Sequence, residues 1–371
     1  MPHAPEAAGA LTYVRYSDAV ETKQPDEDQL IENIVASMSR VNLRAFDQRR
    51  HATRDAHAKS HGVLRGELTV YDALPDHLRQ GVFRAPRTYP VIARLSSAPG
   101  HVQSDAVPAP FGFALKLIGV EGKKVLPGHE DEATQDFLLV NHPTIPFGDV
   151  ATYWKTQRLL EAQGDPPELV QRAAATVAGG VNAALKLAGH GNPFLEALAA
   201  PRTNMLGETF HSMAALRYGD YFGKISLAPL SDSVKNLTGQ ALDAKGDSVV
   251  RDLVVDFFRK SGAEYELRVQ LCTDLARMPV EDASIPWPPE ESPHQPVGKI
   301  TFAPQEAYSP ARRVYADDVL SFNPWHCLPD HRPLGSIMRV RVKAYEASSK
   351  FRHEMNARRR EEPRGIGELP D

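Results

Sequence analysis

The sequence predicts an α+β fold built on an antiparallel sheet or barrel. Two observations carry this. Strand-like and helix-like segments come in runs rather than in strict alternation, which disfavours a parallel βαβ sheet. The strand-like segments are short, rich in β-branched and aromatic residues, and separated by Pro, Gly and Asp clusters.

Taken in order, "QPDEDQLIENIVASMSRV" opens with a proline and acids and then spaces Leu30, Ile31, Ile34, Val35 and Met38 at helical period. From Arg65 the texture changes to strands: "RGELTVY", "YPVIARLSS", "FGFALKLIG" and "QDFLLVN". Helical texture returns in "DVATYWKTQRLLEAQ" and in "PELVQRAAATVAGGVNAALKLAG". The latter overlaps an alanine-rich stretch, Leu169 to Leu198, which is broken by Arg172, Lys186, His190 and Pro193 and reads as soluble helix. "YFGKISLAPL" and "EYELRVQLCTD" read as strands on either side of an amphipathic helix, "SVVRDLVVDFFRKSG". "MPVEDASIPWPPEESPHQPVG" reads as a proline-rich crossing loop in which Trp287 is an anchor, and "GKITF" as a short strand. Leu334 to Met355 is helical in pattern. The expected division is an arm and helix over residues 1–45, a core over 46–355 and a disordered tail over 356–371, where "ARRREE" reads as solvated charge.

Bulk properties narrow the function. The chain has 371 residues, 42% of them hydrophobic, enough for one large core or two ordinary ones. A formal charge of -4 with both signs intermixed offers no basic field for nucleic acid or an anionic membrane. Two cysteines, Cys272 and Cys327, exclude a disulfide framework and suggest a reducing cytoplasm. No signal-peptide pattern opens the sequence, and no apolar run is long enough for stable membrane insertion.

Chemistry is concentrated in few places. Arg341 and Tyr345 are four apart in a predicted helix, so they share a face. A guanidinium beside a phenol favours the phenolate, an anionic oxygen hard enough to bind ferric iron. Alone, such a pair is most often an ordinary helix-surface contact. "RDAHAKS" sets His57 three residues after Arg54, "RLS" gives Arg94 and Ser96, "GFALKL" follows, and "VNHPTIPFGD" leads towards Tyr153. "FNP" precedes the Arg341 helix.

In this order the motifs resemble those of the haem catalase superfamily, from about Phe46 to Phe351, and most of all its small catalase-related branch of catalase-like peroxidases and allene oxide synthases. The resemblance implies an antiparallel β-barrel surrounded by helices, with haem b between barrel and helices. It implies His57 as the distal acid–base, Ser96 as its orienting partner and Asn141 as the amide that holds peroxide. Arg54 and Arg94 would bind the haem propionates, Tyr153 would lie over the haem, and Tyr345 would ligate iron with Arg341 beside it. The chain departs from the family at Ser60 and His61, at Phe111, and in the smaller Ala56, Ile145 and Pro146. These smaller residues imply a wider approach to the iron, hence organic hydroperoxides as well as hydrogen peroxide, with a small organic donor and weak catalase activity.

Three functions fit this reading: a haem hydroperoxidase in the cytoplasm, possible as a homo-oligomer; a fatty-acid hydroperoxide-rearranging haem enzyme; and a non-catalytic haem-binding protein. His101, His142, His190 and His211 are read as structural. "WHCLPDH" brings His326, Cys327 and His331 close in sequence, but without a second cysteine or histidine pair it reads as a packed loop rather than a metal clip.

Overall fold

In the computed structural model, residues 11–163, 203–243 and 245–371 are described. The helix expected over residues 167–189, and His190, lie outside them. Nine strands are present among the described residues: β1 (Lys59–Val70), β2 (Thr88–Ser97), β3 (Phe111–Ile118), β4 (Thr134–Val140), β5 (Phe210–His211), β6 (Leu216–Tyr218), β7 (Tyr221–Pro229), β8 (Ala263–Leu271) and β9 (Gln295–Phe302). Eight of them run in the order β5-β4-β3-β2-β1-β9-β8-β7. Pairing of Phe210 with Leu227 and of His211 with Ser226 joins β5 to β7 and closes the ring. Strand β6 is a hairpin extension of β7. Every pairing is antiparallel, so the expected α+β class and antiparallel barrel are both present. Closure leaves no long unpaired edge among the described strands.

The period-2 pattern of "FGFALKLI" shows how the barrel is specified. Phe113, Leu115 and Leu117 point into the core and are fully buried. The alternate row, Gly112, Ala114 and Lys116, faces outward, where the helices gather. Phe113 meets Phe210 and Tyr265 edge-on at 5.2 and 5.5 Å, packing worth about 0.5–1.5 kcal/mol per pair beyond area burial. β1 begins six residues earlier than the β-rich texture suggested, at Lys59, because it is buried on both faces there and lacks alternation.

Helices α1 (Glu27–Arg49), α2 (Val150–Gln163), α3 (Asp232–Lys235), α4 (Val249–Lys260), α5 (Pro310–Val314) and α6 (Ser336–Met355) pack outside the barrel or across it. α4 lays Val250, Val254 and Phe258, at helical period, on the barrel core. Ile31 and Ile34 of α1 pack with Val150 of α2 and with Val340 and Ala344 of α6. Arg339 binds Glu21, Glu27 and Glu281 together, tying the N-terminal arm to α6. Among the described residues, no helix is long and apolar enough to cross a membrane.

The C-terminal residues are not a disordered tail. Leu369 is fully buried, Arg312 Nε donates to Pro370 O at 2.8 Å, and Glu362 pairs with the buried Lys116. Two charges of "ARRREE" are held: Arg360 lies 3.0 Å from Glu132 and 2.9 Å from Glu362, while Arg358, Arg359 and Glu361 are exposed. A charge run reads as solvated in sequence because its distant partners are invisible there.

Candidate functional site

The outward row of β2, β3 and β4 forms the floor of a cavity of about 750 Å³, roofed by α6 and by the segment before β1. Arg54, His57, Arg94, Ser96, Arg341 and Tyr345 all line it, although they come from three separate stretches of sequence. Gly112, Ala114, Leu138, Val140, Met213 and Phe322 supply apolar walls.

His57 sits in the left-handed region at φ 56°, a conformation uncommon for a residue with a side chain and characteristic of constrained sites. Its backbone N–H is fixed by Ala98 O at 2.8 Å. Its Nδ1 lies 3.1 Å from Ser96 Oγ. Gly112 makes room for the ring: a Cβ there would lie 2.5 Å from His57 Nδ1. Burial, with help from Arg94, Arg341 and Arg54, pushes His57 down to about 3, so the imidazole is neutral at neutral pH.

Tyr345 lies on α6 one turn beyond Arg341. Burial raises the phenol pKa more than Arg341 and Arg54 lower it, and Asp55 adds to the rise. The guanidinium alone therefore does not leave a free phenolate; a bound cation is needed to complete the ionisation.

Three guanidiniums converge on the π-turn Tyr315–Val319. Arg54 donates to Ala316 O at 2.6 Å, to Leu320 O at 2.9 Å and to Asp317 Oδ1 at 3.2 Å. Arg94 donates to Asp317 Oδ1 from Nε and Nη2 and to His57 O. Arg352 donates to Asp317 O, Leu320 O and Ser321 Oγ. Burial, and then repulsion from Arg94 and Arg352, holds Arg54 well below its usual range. Arg352 was not singled out in the sequence. The signal was available, since it lies two helical turns after Tyr345 on the same face.

Two expected residues are not in this cavity. Asn141 lines an adjoining one of about 720 Å³, with Lys59, Ser97 and Phe111. Its Oδ1 is taken by Phe111 N at 2.7 Å. Tyr153 stacks on Phe147 at 4.5 Å and turns its hydroxyl to Met38 Sδ at 3.7 Å, outside the lining.

Whether these residues suit an iron porphyrin can be judged from their donors. Arg352 Nε is buried without a hydrogen-bond partner, a state that costs about 1–3 kcal/mol unless an acceptor arrives. Three guanidiniums with one carboxylate between them, shared by Arg54 and Arg94 alone, call for added anions. Apolar walls with a cationic rim and one phenol suit a flat group bearing carboxylates and a hard cation, and haem fits that description.

A second cluster among the described residues is held by ion pairs. Glu132, His326 and Glu362 bring ligand atoms within 4.8 Å of one another, but Arg360 and Lys116 pair with the two carboxylates, making an ion-pair network. His331 Nε2 instead accepts from Val82 N at 3.0 Å among Phe83, Phe137 and Tyr218, and Cys327 is buried. "WHCLPDH" is thus a packed loop. Trp287 donates to Pro279 O at 3.3 Å and lies under Lys224, as an anchor does.

No family model and no curated protein matches the chain by sequence. Solved structures do match it. A fungal catalase superposes with a TM-score of 0.58 at 16% identity, covering 84% of this chain and 61% of that one. The fold is a catalase fold. Catalase A from Saccharomyces cerevisiae gives 0.58 at 15% identity, covering 85% and 65%, and a bacterial catalase 0.54 at 15%, covering 84% and 59%. This chain therefore spans less than two thirds of the length of those catalases.

Proposed function

We propose that the protein is a haem-dependent hydroperoxidase that reduces organic hydroperoxides or hydrogen peroxide with a small organic donor, and that its catalase activity is weak. The observation that carries this reading is the shared cavity: a neutral, serine-held histidine, a helix-borne tyrosine with an arginine one turn before it, and a rim of three arginines. Arg54, Arg94 and Arg352 would hold the two propionates of haem b, and Tyr345 would ligate its iron. Bound there, the haem would supply the redox chemistry that splits the O–O bond.

The chain's own residues then have separate tasks. Ser96 fixes the orientation and tautomer of His57. His57, neutral, accepts the proton from the near peroxide oxygen and returns it to the departing oxygen, which leaves as an alcohol or as water. Arg341 biases Tyr345 towards the anion. Ala56 is a small wall residue beside His57, exposed to the cavity, and leaves room for the organic part of a hydroperoxide. Asn141, with Oδ1 committed to Phe111, can offer a substrate only its amide N–H groups, and from the adjoining cavity.

The same room would accept a fatty-acid hydroperoxide for rearrangement, and products distinguish the two outcomes. The deciding experiment is an absorption spectrum of the purified protein after supply of haem. A Soret band with high-spin ferric features is the expected result. A protein that takes up no haem under these conditions is not a hydroperoxidase of this kind.

A further inference from the structure

The arginine rim contains a carboxylate that the proposed chemistry does not use. Asp317 lines not the main cavity but a smaller one of about 450 Å³ behind Arg54. Its Oδ1 is the common acceptor for Arg54, at 3.2 Å, and for Arg94, at 2.9 Å. Neighbouring carboxylates are engaged elsewhere. Asp318 Oδ1 takes His51 Nε2 at 2.9 Å and Asn356 Nδ2 at 3.4 Å. Asp55 is hydrogen-bonded to Ser348, and burial raises its carboxyl pKa. Asp317 is thus the one carboxylate with ion pairs to the rim arginines among the described residues.

We propose that Asp317 is a built-in stand-in for a ligand carboxylate, steadying Arg54 and Arg94 while the cavity is empty and opposing the ligand's own charges once it is filled. This rests on the haem reading above. The physical argument is one Coulomb term with two consequences. Three guanidiniums packed round a π-turn repel one another, and a chain must fold before its cofactor arrives, so a fixed counter-charge stabilises the empty state. The same negative charge stands behind the guanidiniums that would receive two propionates, so it weakens that attraction. The carboxylate is 23% exposed, and solvent screening keeps both effects modest.

The test compares ferric haem b with its dimethyl ester, which lacks ionised carboxylates, in titrations of the full-length apoprotein. The substitution is Asp317→Asn, which keeps the Oδ1 acceptor and removes the charge. The apoprotein should melt at a lower temperature, and the preference for haem over its ester should rise by roughly 3- to 10-fold, the order set by one partly screened unit charge. Affinity for the ester should stay the same. A preference that is unchanged or reduced would overturn the proposal, making Asp317 only a positioning residue. Should the single variant prove too unstable to titrate, Asp317→Asn combined with Arg54→Gln removes one charge of each sign. The double variant should recover apoprotein stability, and failure to recover it counts against the proposal. A wild-type protein that binds neither compound, or does not distinguish them, refutes the haem reading itself.

Discussion

Ser96 Oγ lies 3.1 Å from His57 Nδ1, and Gly112, paired with Ser96 across β2 and β3, leaves the space that the imidazole fills. The acid–base of the proposed reaction is therefore set by two neighbouring strands and not by its own loop alone. Ser96→Ala should keep the fold and haem binding while lowering peroxide turnover by roughly 10–100-fold, the usual effect of removing an orienting partner. His57→Ala should lower it by roughly 10²–10⁴-fold with haem retained. Stopped-flow reduction of cumene hydroperoxide checks both. Equal turnover in wild type and His57→Ala would transfer the acid–base role to another group.

Tyr345→Phe tests the ligand. Phenylalanine leaves the shape of α6 intact and offers iron no oxygen. Haem content after reconstitution should fall sharply, with any residual spectrum losing its high-spin ferric character. An unchanged spectrum would remove Tyr345 from the site.

The ion-pair network beside the cavity makes a prediction about pH. Burial would lower the His326 pKa, but the carboxylates of Asp136, 3.7 Å from Nδ1, and Glu132, 2.8 Å from Nε2, raise it overall. Burial would raise Glu132, but His326, Arg360 and His129 donate to it and hold it below the usual carboxylate range. A raised histidine contributes stability that is complete below its unfolded value of about 6.5 and is lost as pH climbs through the folded value. A depressed glutamate contributes stability that is complete above about 4.3 and is lost as pH falls. The network should therefore stabilise most between about pH 4.3 and 6.5. His326→Gln should lower Tm most within that window, with the gap to wild type narrowing at higher pH. A gap independent of pH would mean that His326 acts by packing alone.

The barrel was legible in sequence because its strands alternate or run apolar between clear breakers, as in "FGFALKLI". Six of the eight expected site residues share one cavity because each belongs to a motif with its own local signal. Asn141 and Tyr153 fall outside it, since their placement depended on register along "VNHPTIPFGD" rather than on local chemistry. Arg352 was missed although it shares a helical face with Tyr345, because its acceptors at Asp317, Leu320 and Ser321 come from the turn folded beside it. The ordered C-terminal residues were misread for a related reason: Lys116, the partner of Glu362, lies 246 residues away.

Ala56 supports a final prediction, about substrate. It precedes His57 and is exposed to the cavity, so the wall beside the acid–base is one methyl group deep. A wide approach admits large hydroperoxides but holds hydrogen peroxide loosely, and loss of orientation slows a reaction that depends on near-attack geometry. Ala56→Val narrows the cavity at that point. The variant should turn over cumene and fatty-acid hydroperoxides more slowly, with KM rising, and should evolve oxygen from hydrogen peroxide faster than wild type. The expected change in the ratio of the two rates is about 10-fold, the order that one or two methyl groups produce in an apolar pocket. Oxygen electrode traces and a dye-coupled hydroperoxide assay on the same preparations give that ratio. Rapid oxygen evolution by wild type with no use of organic hydroperoxides would sink the idea. So would a ratio that Ala56→Val leaves where it was.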